Sequence, residues 1–401
     1  MPNITDVRGE EIKDSRGNPT LNITLVAENL RASAAVPSGK STGSHEAKEL
    51  RDDDGLGVQK ALAQIKSIIK PALLNSPLNQ KTVDDLLIKL DGTPNKERLG
   101  GNTLIGISMA LARLIAQSKN IPLWKSIAEE LGDTTSFPDL YMNIINGGAH
   151  ADFRLPFQEY MIVFPGSNPR IAYEEGSLIF KKLGKIINTH FGYVPKGDEG
   201  GYSPAISSLT EPFELLQEAS AGYANITFAI DVAASLLLHD GTYVLGNKKM
   251  SPNDLILFYE ELTKQFPIKS IEDPFSEDDN ALFKSITERL GNNIKIVGDD
   301  FTVTNPARVK RAIAEESVNA LIIKPNQIGT LTETYEVLNM AKKAGWKSIV
   351  SHRSGDTNDS FIADLAVGVG AHGLKAGSPE PPERRVKYER LVEIFEKEML
   401  P

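Results

Sequence analysis

The chain contains no cysteine and only two tryptophans among its 401 residues. Without thiols there are no disulfides and no thiolate metal sites, although that alone does not fix the compartment. A basic excess is missing too: Lys+Arg is 44 against Asp+Glu 53, a net charge of −9, and no basic cluster stands out, which argues against a nucleic-acid partner. No uninterrupted apolar run is long enough to cross a bilayer. The opening MPNITDVRGEEI lacks the apolar core of a signal peptide. A cytoplasmic protein with no membrane span is the expectation. What is there is globular in character: 40% hydrophobic, 24% charged, and long enough for two domains, one of them a large barrel.

The stretch Ile294–Gln327 carries the plan of the chain. Two mostly apolar runs, Ile294–Val297 and Ala320–Ile323, each stop on charge, at Asp299 and Lys324. Such runs suit strands buried on both faces. ITFAID, IKSIED, KSIVSH and GLKAG repeat that grammar, so Asp231, Glu272, Asp299, Lys324, His352 and Lys375 each fall where a buried strand ends. The successive spacings are 41, 27, 25, 28 and 23 residues. All but the first fit one strand, one helix and two loops. Strands alternating with helices predict parallel βα units, and enough of them close a barrel whose chemistry lies at the carboxyl ends of its strands.

Residues 1–30 read as strand, turn, strand, with SRGNPT as the turn and LNITLVAEN alternating in part: an antiparallel hairpin or meander. Helical spacing marks Leu56–Leu74, Gln80–Leu90 and Thr103–Lys119. Residues 1–132 therefore form an α+β unit, DTTSFP at Asp133–Pro138 is the expected junction, and 138–401 form the barrel. The barrel part begins strand, loop, strand (YMNIINGG; QEYMIVF), then two helices, Ile171–Phe191 and Thr210–Tyr223. VPSGKSTGSHE at Val36–Glu46 contains GKST, but a phosphate loop needs a glycine five positions before Gly39, and position 34 is alanine. A Gly/Ser loop or a mobile lid remains.

Each candidate residue has a plain alternative. Asp231, Glu272 and Asp299 taken singly are helix caps or rim salt bridges; three in register suit a hard divalent cation such as Mg²⁺. Lys324, directly after ALII, is either a snorkelling lysine paired to an acid or a general base whose charged form burial disfavours. KGDEGGYSP, with Glu199, is an acidic turn or a loop closing on a ligand; His150 in NGGAHA carries little weight alone. SHRSG, with Arg353 and Ser354, is a polar loop or a clamp for an anionic oxyacid, and Lys375 adds a second cation. Together these groups suit removal of a proton beside a carboxylate, with metal ions stabilising the resulting dianion.

DSRGNPT, VPSGKSTGSHEA, LDGTPNKERLGGN, NGGAHA, FQEYMI, GDEGGYSP, SIEDPFSEDD, VGDDFTVTNP, LIIKPNQIGTLTET and SHRSGDTNDSFIADLAVG occur in that order, and with them the chain resembles the enolase family over nearly its whole length. The resemblance implies an N-terminal α+β capping domain followed by a modified TIM barrel, ββαα(βα)₆, and reversible conversion of 2-phosphoglycerate to phosphoenolpyruvate and water in glycolysis and gluconeogenesis. It implies two Mg²⁺ per active site, with Asp231, Glu272 and Asp299 on the first and Ser41 on the second. Lys324 matches the base, and Glu199 the group that assists loss of the C3 hydroxyl, with Glu159 beside it. Arg353 and Ser354 match the phosphate grip; His150, Gln158, His352 and Lys375 match further substrate contacts. It implies a homo-oligomer, dimer or octamer, and opens a secondary cell-surface role as a plasminogen binder, against which the C-terminal Met399-Leu400-Pro401 offers no lysine. A superfamily relative acting on another acid is disfavoured, because the second barrel strand reads QEYMIVF rather than Lys-x-Lys. Departures from the pattern are Phe153 and Arg154 after His150, Lys40 beside Ser41, Ala376 where the family has threonine, and a shorter C-terminus. They bear on lid closure, turnover and oligomer contacts, and fit a divergent paralogue.

Overall fold

A computed structural model describes residues 2–40 and 43–399. The N-terminal sheet is a three-stranded antiparallel meander of β1 (Asp6–Lys13), β2 (Pro19–Ala27) and β3 (Leu30–Ala35). Alternation places Leu21, Ile23 and Leu25 on one face of β2, all fully buried. The helix Gly101–Lys119 lies across β2 and β3. Gly106 permits that approach, since a Cβ there would come within 2.6 Å of Ile23 Cδ1. The window Leu56–Leu74 is not one helix. It runs Gln59–Gln64, a π turn at Ile65–Ile69, and Lys70–Leu73. Pro71 has no N–H to close an α turn, and the wider π turn sits directly before it.

The strands of the second part are β4 (Asp139–Asn146), β5 (Glu159–Phe164), β6 (Thr227–Asp231), β7 (Leu238–His239), β8 (Thr242–Leu245), β9 (Lys248–Met250), β10 (Ile268–Glu272), β11 (Lys295–Gly298), β12 (Ala320–Ile323), β13 (Lys347–Ser351) and β14 (Gly373–Lys375). Eight close into a barrel in the order β10-β11-β12-β13-β14-β4-β5-β6. Helices Pro169–Phe191 and Glu211–Ser220 follow β5, and one long helix follows each of β6, β10, β11, β12, β13 and β14 before the next barrel strand or the end of the described chain. That is the ββαα(βα)₆ order. The barrel is not wholly parallel, contrary to the expectation from the strand ends. β5 runs antiparallel to both β4 and β6, because the short loop after β4 turns the chain straight back.

The long first spacing, Asp231 to Glu272, also has its cause. β7, β8 and β9 form a separate antiparallel sheet between β6 and the helix Pro252–Gln265. Asp240 and Gly241 make its first turn with φ of 48° and 76°, the double left-handed conformation of a tight hairpin.

Period 2 divides each barrel strand between lumen and helix layer. Tyr141, Met161, Val163, Ala229, Val297, Ala320, Ile322 and Ile349 form a distinct cluster, the barrel's own core. Two residues further along the same strands stand Asp231, Asp299, Lys324 and Ser351, at the carboxyl-end mouth.

Candidate active site at the barrel mouth

Strand register assembles the site. Asp231 and Glu272 end β6 and β10 opposite one another. Lys375 ends β14, and Asp299, Lys324 and His352 come one residue after β11, β12 and β13. Glu159 begins β5, but β5 runs backward, so its first residue pairs with Asn146 and Asp231 at the same mouth. His150, Gln158, Glu159, Glu199, Asp231, Asp299, Lys324, His352, Arg353, Ser354 and Lys375 all line one narrow cavity of about 20 Å³. Glu272 lies directly behind, within 2.8 Å of Lys375 Nζ. Ser41 lies outside the described residues.

The lysines hold the carboxylates in two sets. Lys375 Nζ reaches Glu272 at 2.8 Å, Glu159 at 3.1 Å and Asp231 at 3.5 Å. Lys324 is paired to Asp299, whose other oxygen accepts from Gln327 Nε2 at 3.0 Å. Among the described residues, the acid groupings tight enough for one ion are His150–Glu159–Glu199 and Asp273–Asp299–Asp300. Asp231, Glu272 and Asp299 are not such a set here; Lys375 stands between the first two.

Burial and neighbours decide the charges. Burial pushes Glu159 and Glu272 well above the usual carboxylate range; Glu199 adds to this for Glu159 and Asp231 for Glu272, against the pull of Lys375. Burial raises Glu199 too, yet the facing His352, with its ring hydrogen toward the carboxylate, and the Arg384 charge behind it hold its carboxyl well below that range. Of the neighbouring pair, Glu159 keeps the proton and Glu199 is ionised. Lys324 corrects the sequence expectation. Burial does disfavour its charged form, but the adjoining Asp299 more than offsets this, and its pKa rises above the normal lysine value. His352 is pushed down to about 4 by burial, so it is neutral near pH 7. Arg384 Nη1 lies 2.6 Å from His352 Nδ1. A guanidinium can only donate, so Nδ1 is the acceptor and Nε2 carries the hydrogen, facing Glu199 Oε2 at 3.2 Å.

Residues 36–40 and 43–46 lie over the mouth. Ser38 and Gly355 exchange backbone bonds of 2.7 and 2.9 Å, Lys40 N donates to Ser354 Oγ at 2.8 Å, and Lys40 Nζ pairs with Asp198 at 2.9 Å. Arg353, expected to clamp an anion, is held by Glu46 through bonds of 2.8 and 3.1 Å. A ligand anion at the same edge of the Arg353 guanidinium would compete with the Glu46 carboxylate. Phe153 and Arg154 are not in the cavity lining. They border a separate surface groove with Leu236, and Phe153 is 55% exposed.

Several participants escape the sequence. Asp273 accepts the Asp299 and Asp300 amides at 2.9 and 2.7 Å; the doubled acids in IEDP and GDDF were the available signal. Glu46 and the fully buried Arg384 carry none, because their partners lie far along the chain.

A hard divalent cation fits the donor chemistry. Six carboxylates face three cationic side chains in the lining, no thiol exists, and burial raises Asp273 and Asp300 with their carboxylate neighbours adding to it. Gln158 Oε1 and His150 Nδ1 are buried without a hydrogen-bond partner, as suits polar groups that meet a ligand.

Comparison with known proteins agrees in both parts of the chain. Residues 4–127 match the family model described as the enolase N-terminal domain, and residues 134–399 match the enolase C-terminal TIM barrel domain. Enolase B of Dictyostelium discoideum is 44% identical over 419 aligned residues, which cover 98% of this chain and 94% of the relative. Enolase 2 of Methanospirillum hungatei is 44% identical over 409, covering 98% and 95%. Enolase of Methanopyrus kandleri is 44% identical over 414, covering 99% and 96%.

Proposed function

The chain belongs to the enolase family, whose members are hydro-lyases, and from that premise we propose that it interconverts 2-phospho-D-glycerate with phosphoenolpyruvate and water in glycolysis and gluconeogenesis. The observation that carries the reading is the meeting of Lys324, Glu199, Glu159 and Arg353 in one cavity with the acids at the ends of β6, β10 and β11.

In this reading Lys324 Nζ removes the C2 proton. Glu199, with the proton kept on the adjoining Glu159, assists departure of the C3 hydroxyl. Arg353 and Ser354 grip the phosphate, in competition with Glu46. His150, Gln158, His352 and Lys375 orient the carboxylate and hydroxyl of the substrate. Asp231, Glu272 and Asp299 would hold one Mg²⁺, and Ser41 is assigned to a second. Mg²⁺ there would neutralise the dianion left by proton loss and weaken the hold of Asp299 on the Lys324 proton. The cavity is too small for a three-carbon phosphate ester as it stands, so Lys375, Lys324 and residues 36–40 and 43–46 shift to admit it. The reading also keeps the division into a capping unit, 1–132, and a catalytic barrel, 138–401, a cytoplasmic location, and a homo-oligomer.

The assay follows product absorbance in the ultraviolet with 2-phosphoglycerate, with and without Mg²⁺. Turnover that rises with Mg²⁺ and vanishes on chelation is expected. A folded, Mg²⁺-loaded sample with no turnover overturns the proposal.

A further inference from the structure

The opposite mouth of the barrel carries its own charge cluster, of the other sign. The alternation that puts Asp299 at the carboxyl end of β11 puts Lys295 at its start, with Val297 between. On β13, Lys347 lies beneath Ile349, and on β4, Asp139 lies beneath Tyr141. Val297, Ile349 and Tyr141 all belong to the lumen core, so Lys295, Lys347 and Asp139 share the inward-facing set at the amino-end mouth. Lys269, exposed on β10, joins them at the rim. All four line a cavity of about 420 Å³, within the range of small-molecule sites.

The charges there do not balance. Among the described residues, none of the three ammonium groups makes an ion pair or a side-chain hydrogen bond, and Asp139 is the single carboxylate in the lining. Asp139 is itself engaged, accepting the Gly166 amide at 2.9 Å. Lys295 is only partly exposed, and its charged form is disfavoured by burial, relieved only in part by Asp139 and worsened by Lys347 and Lys269. His372, nearby, is pushed down to about 4 by burial and then by Lys347 and Lys295. A half-buried lysine facing two more lysines costs stability unless something negative completes the set. The floor is rigid. Asn319 donates to the Gly291 and Ile294 carbonyls at 2.8 and 3.0 Å and accepts the Ile296 amide at 2.8 Å, which fixes the loop bordering the lysines.

We propose that the amino-end mouth of the barrel is an anion-binding site for a small soluble polyphosphate, held by Lys295, Lys347 and Lys269. Two or more phosphate charges match three ammonium groups set against one carboxylate, and an open hollow between strand ends, with Lys347 and Lys269 exposed and Lys295 half-buried, gives a soluble anion direct access.

Isothermal titration of tripolyphosphate into the metal-free full chain, at matched ionic strength, tests this. Lys295→Met with Lys347→Met should weaken one binding event at least tenfold, while Arg353→Met, at the other mouth, leaves that event intact. The exposed Lys269→Glu, a mild substitution for folding, should weaken the same event alone. Turnover of 2-phosphoglycerate in the lysine variants should stay within about twofold of the parent, since none of the three reaches the active site. Unchanged tripolyphosphate binding in both the double variant and Lys269→Glu overturns the assignment, whatever Arg353→Met does. Retention on phosphatidylserine vesicles without tripolyphosphate binding overturns it equally, by assigning the lysines to a lipid surface.

Discussion

At the residue scale, Arg384 controls the geometry without lining the cavity. It is fully buried and donates to the Ser354 carbonyl at 2.6 Å and the Asp198 carbonyl at 3.2 Å, besides setting the His352 tautomer. Arg384→Met keeps the volume but takes their donor from the buried Asp198 and Ser354 carbonyls, while Asp356 keeps Lys387 at 2.8 Å. It should lower unfolding free energy by about 3 kcal/mol. In the protein that remains folded it should also alter the pH profile of kcat, because His352 loses the partner that fixes its Nδ1 as acceptor. A positioning role predicts both effects; a purely structural one predicts the first alone. Denaturant titration and a pH–rate profile separate them. Such a residue was illegible in the sequence. Nothing near ERRVKYER distinguishes Arg384 from Arg385, and only the fold brings it to His352. Lys324 was legible as a candidate base, but its raised pKa was not, because that depends on Asp299 arriving from the neighbouring strand.

At the element scale, a buried carboxylate is one of the links between the capping unit and the barrel. Asp84, on the helix Gln80–Asp91, accepts the Thr332 amide at 3.0 Å and its hydroxyl at 2.7 Å, so it caps the barrel helix Leu331–Lys343; Ser108 donates to it at 3.0 Å. Burial raises Asp84 from 3.8 to about 6, against the pull of those hydrogen bonds. A raised folded-state value means the native form holds this proton more tightly than the unfolded chain does. The stabilisation is complete below about pH 4 and is lost as pH rises through about 6. The two-unit shift corresponds to roughly 3 kcal/mol. The parent should therefore lose about that much relative to Asp84→Asn between about pH 4 and 7. Parallel denaturation midpoints across that range would contradict it. Elements of this size were largely readable: buried strands are short apolar runs that stop on charge, and the helices showed their period. The reversed direction of β5 was not, since a short strand's pattern is the same read either way. The β7–β9 sheet was missed despite its Asp240-Gly241 turn, because its strands are too short to show alternation.

At the scale of the whole molecule, the capping unit is tied to the barrel by ion pairs far apart in sequence. Arg113 makes a two-pronged contact with Asp359 at 2.7 and 2.6 Å, and Asp359 also accepts the Ala35 amide at 3.0 Å. Lys96 pairs with Glu333 at 2.7 Å. Asp359→Ala leaves Arg113 unpaired, and burial already disfavours that charge. A loss of about 3–5 kcal/mol is expected, read by denaturant titration; a change under about 1 kcal/mol would mean the pair is solvated as surface pairs are.

The central claim is a division of labour, with Lys324 at the C2 proton and Glu199 at the C3 hydroxyl. Exchange of the C2 hydrogen of 2-phosphoglycerate with deuterated solvent, followed by NMR with Mg²⁺ present, measures the first role without the second. Glu199→Gln should retain exchange while dehydration falls, and Lys324→Ala should slow both by about a thousandfold. Exchange at the parental rate in folded Lys324→Ala would contradict the account.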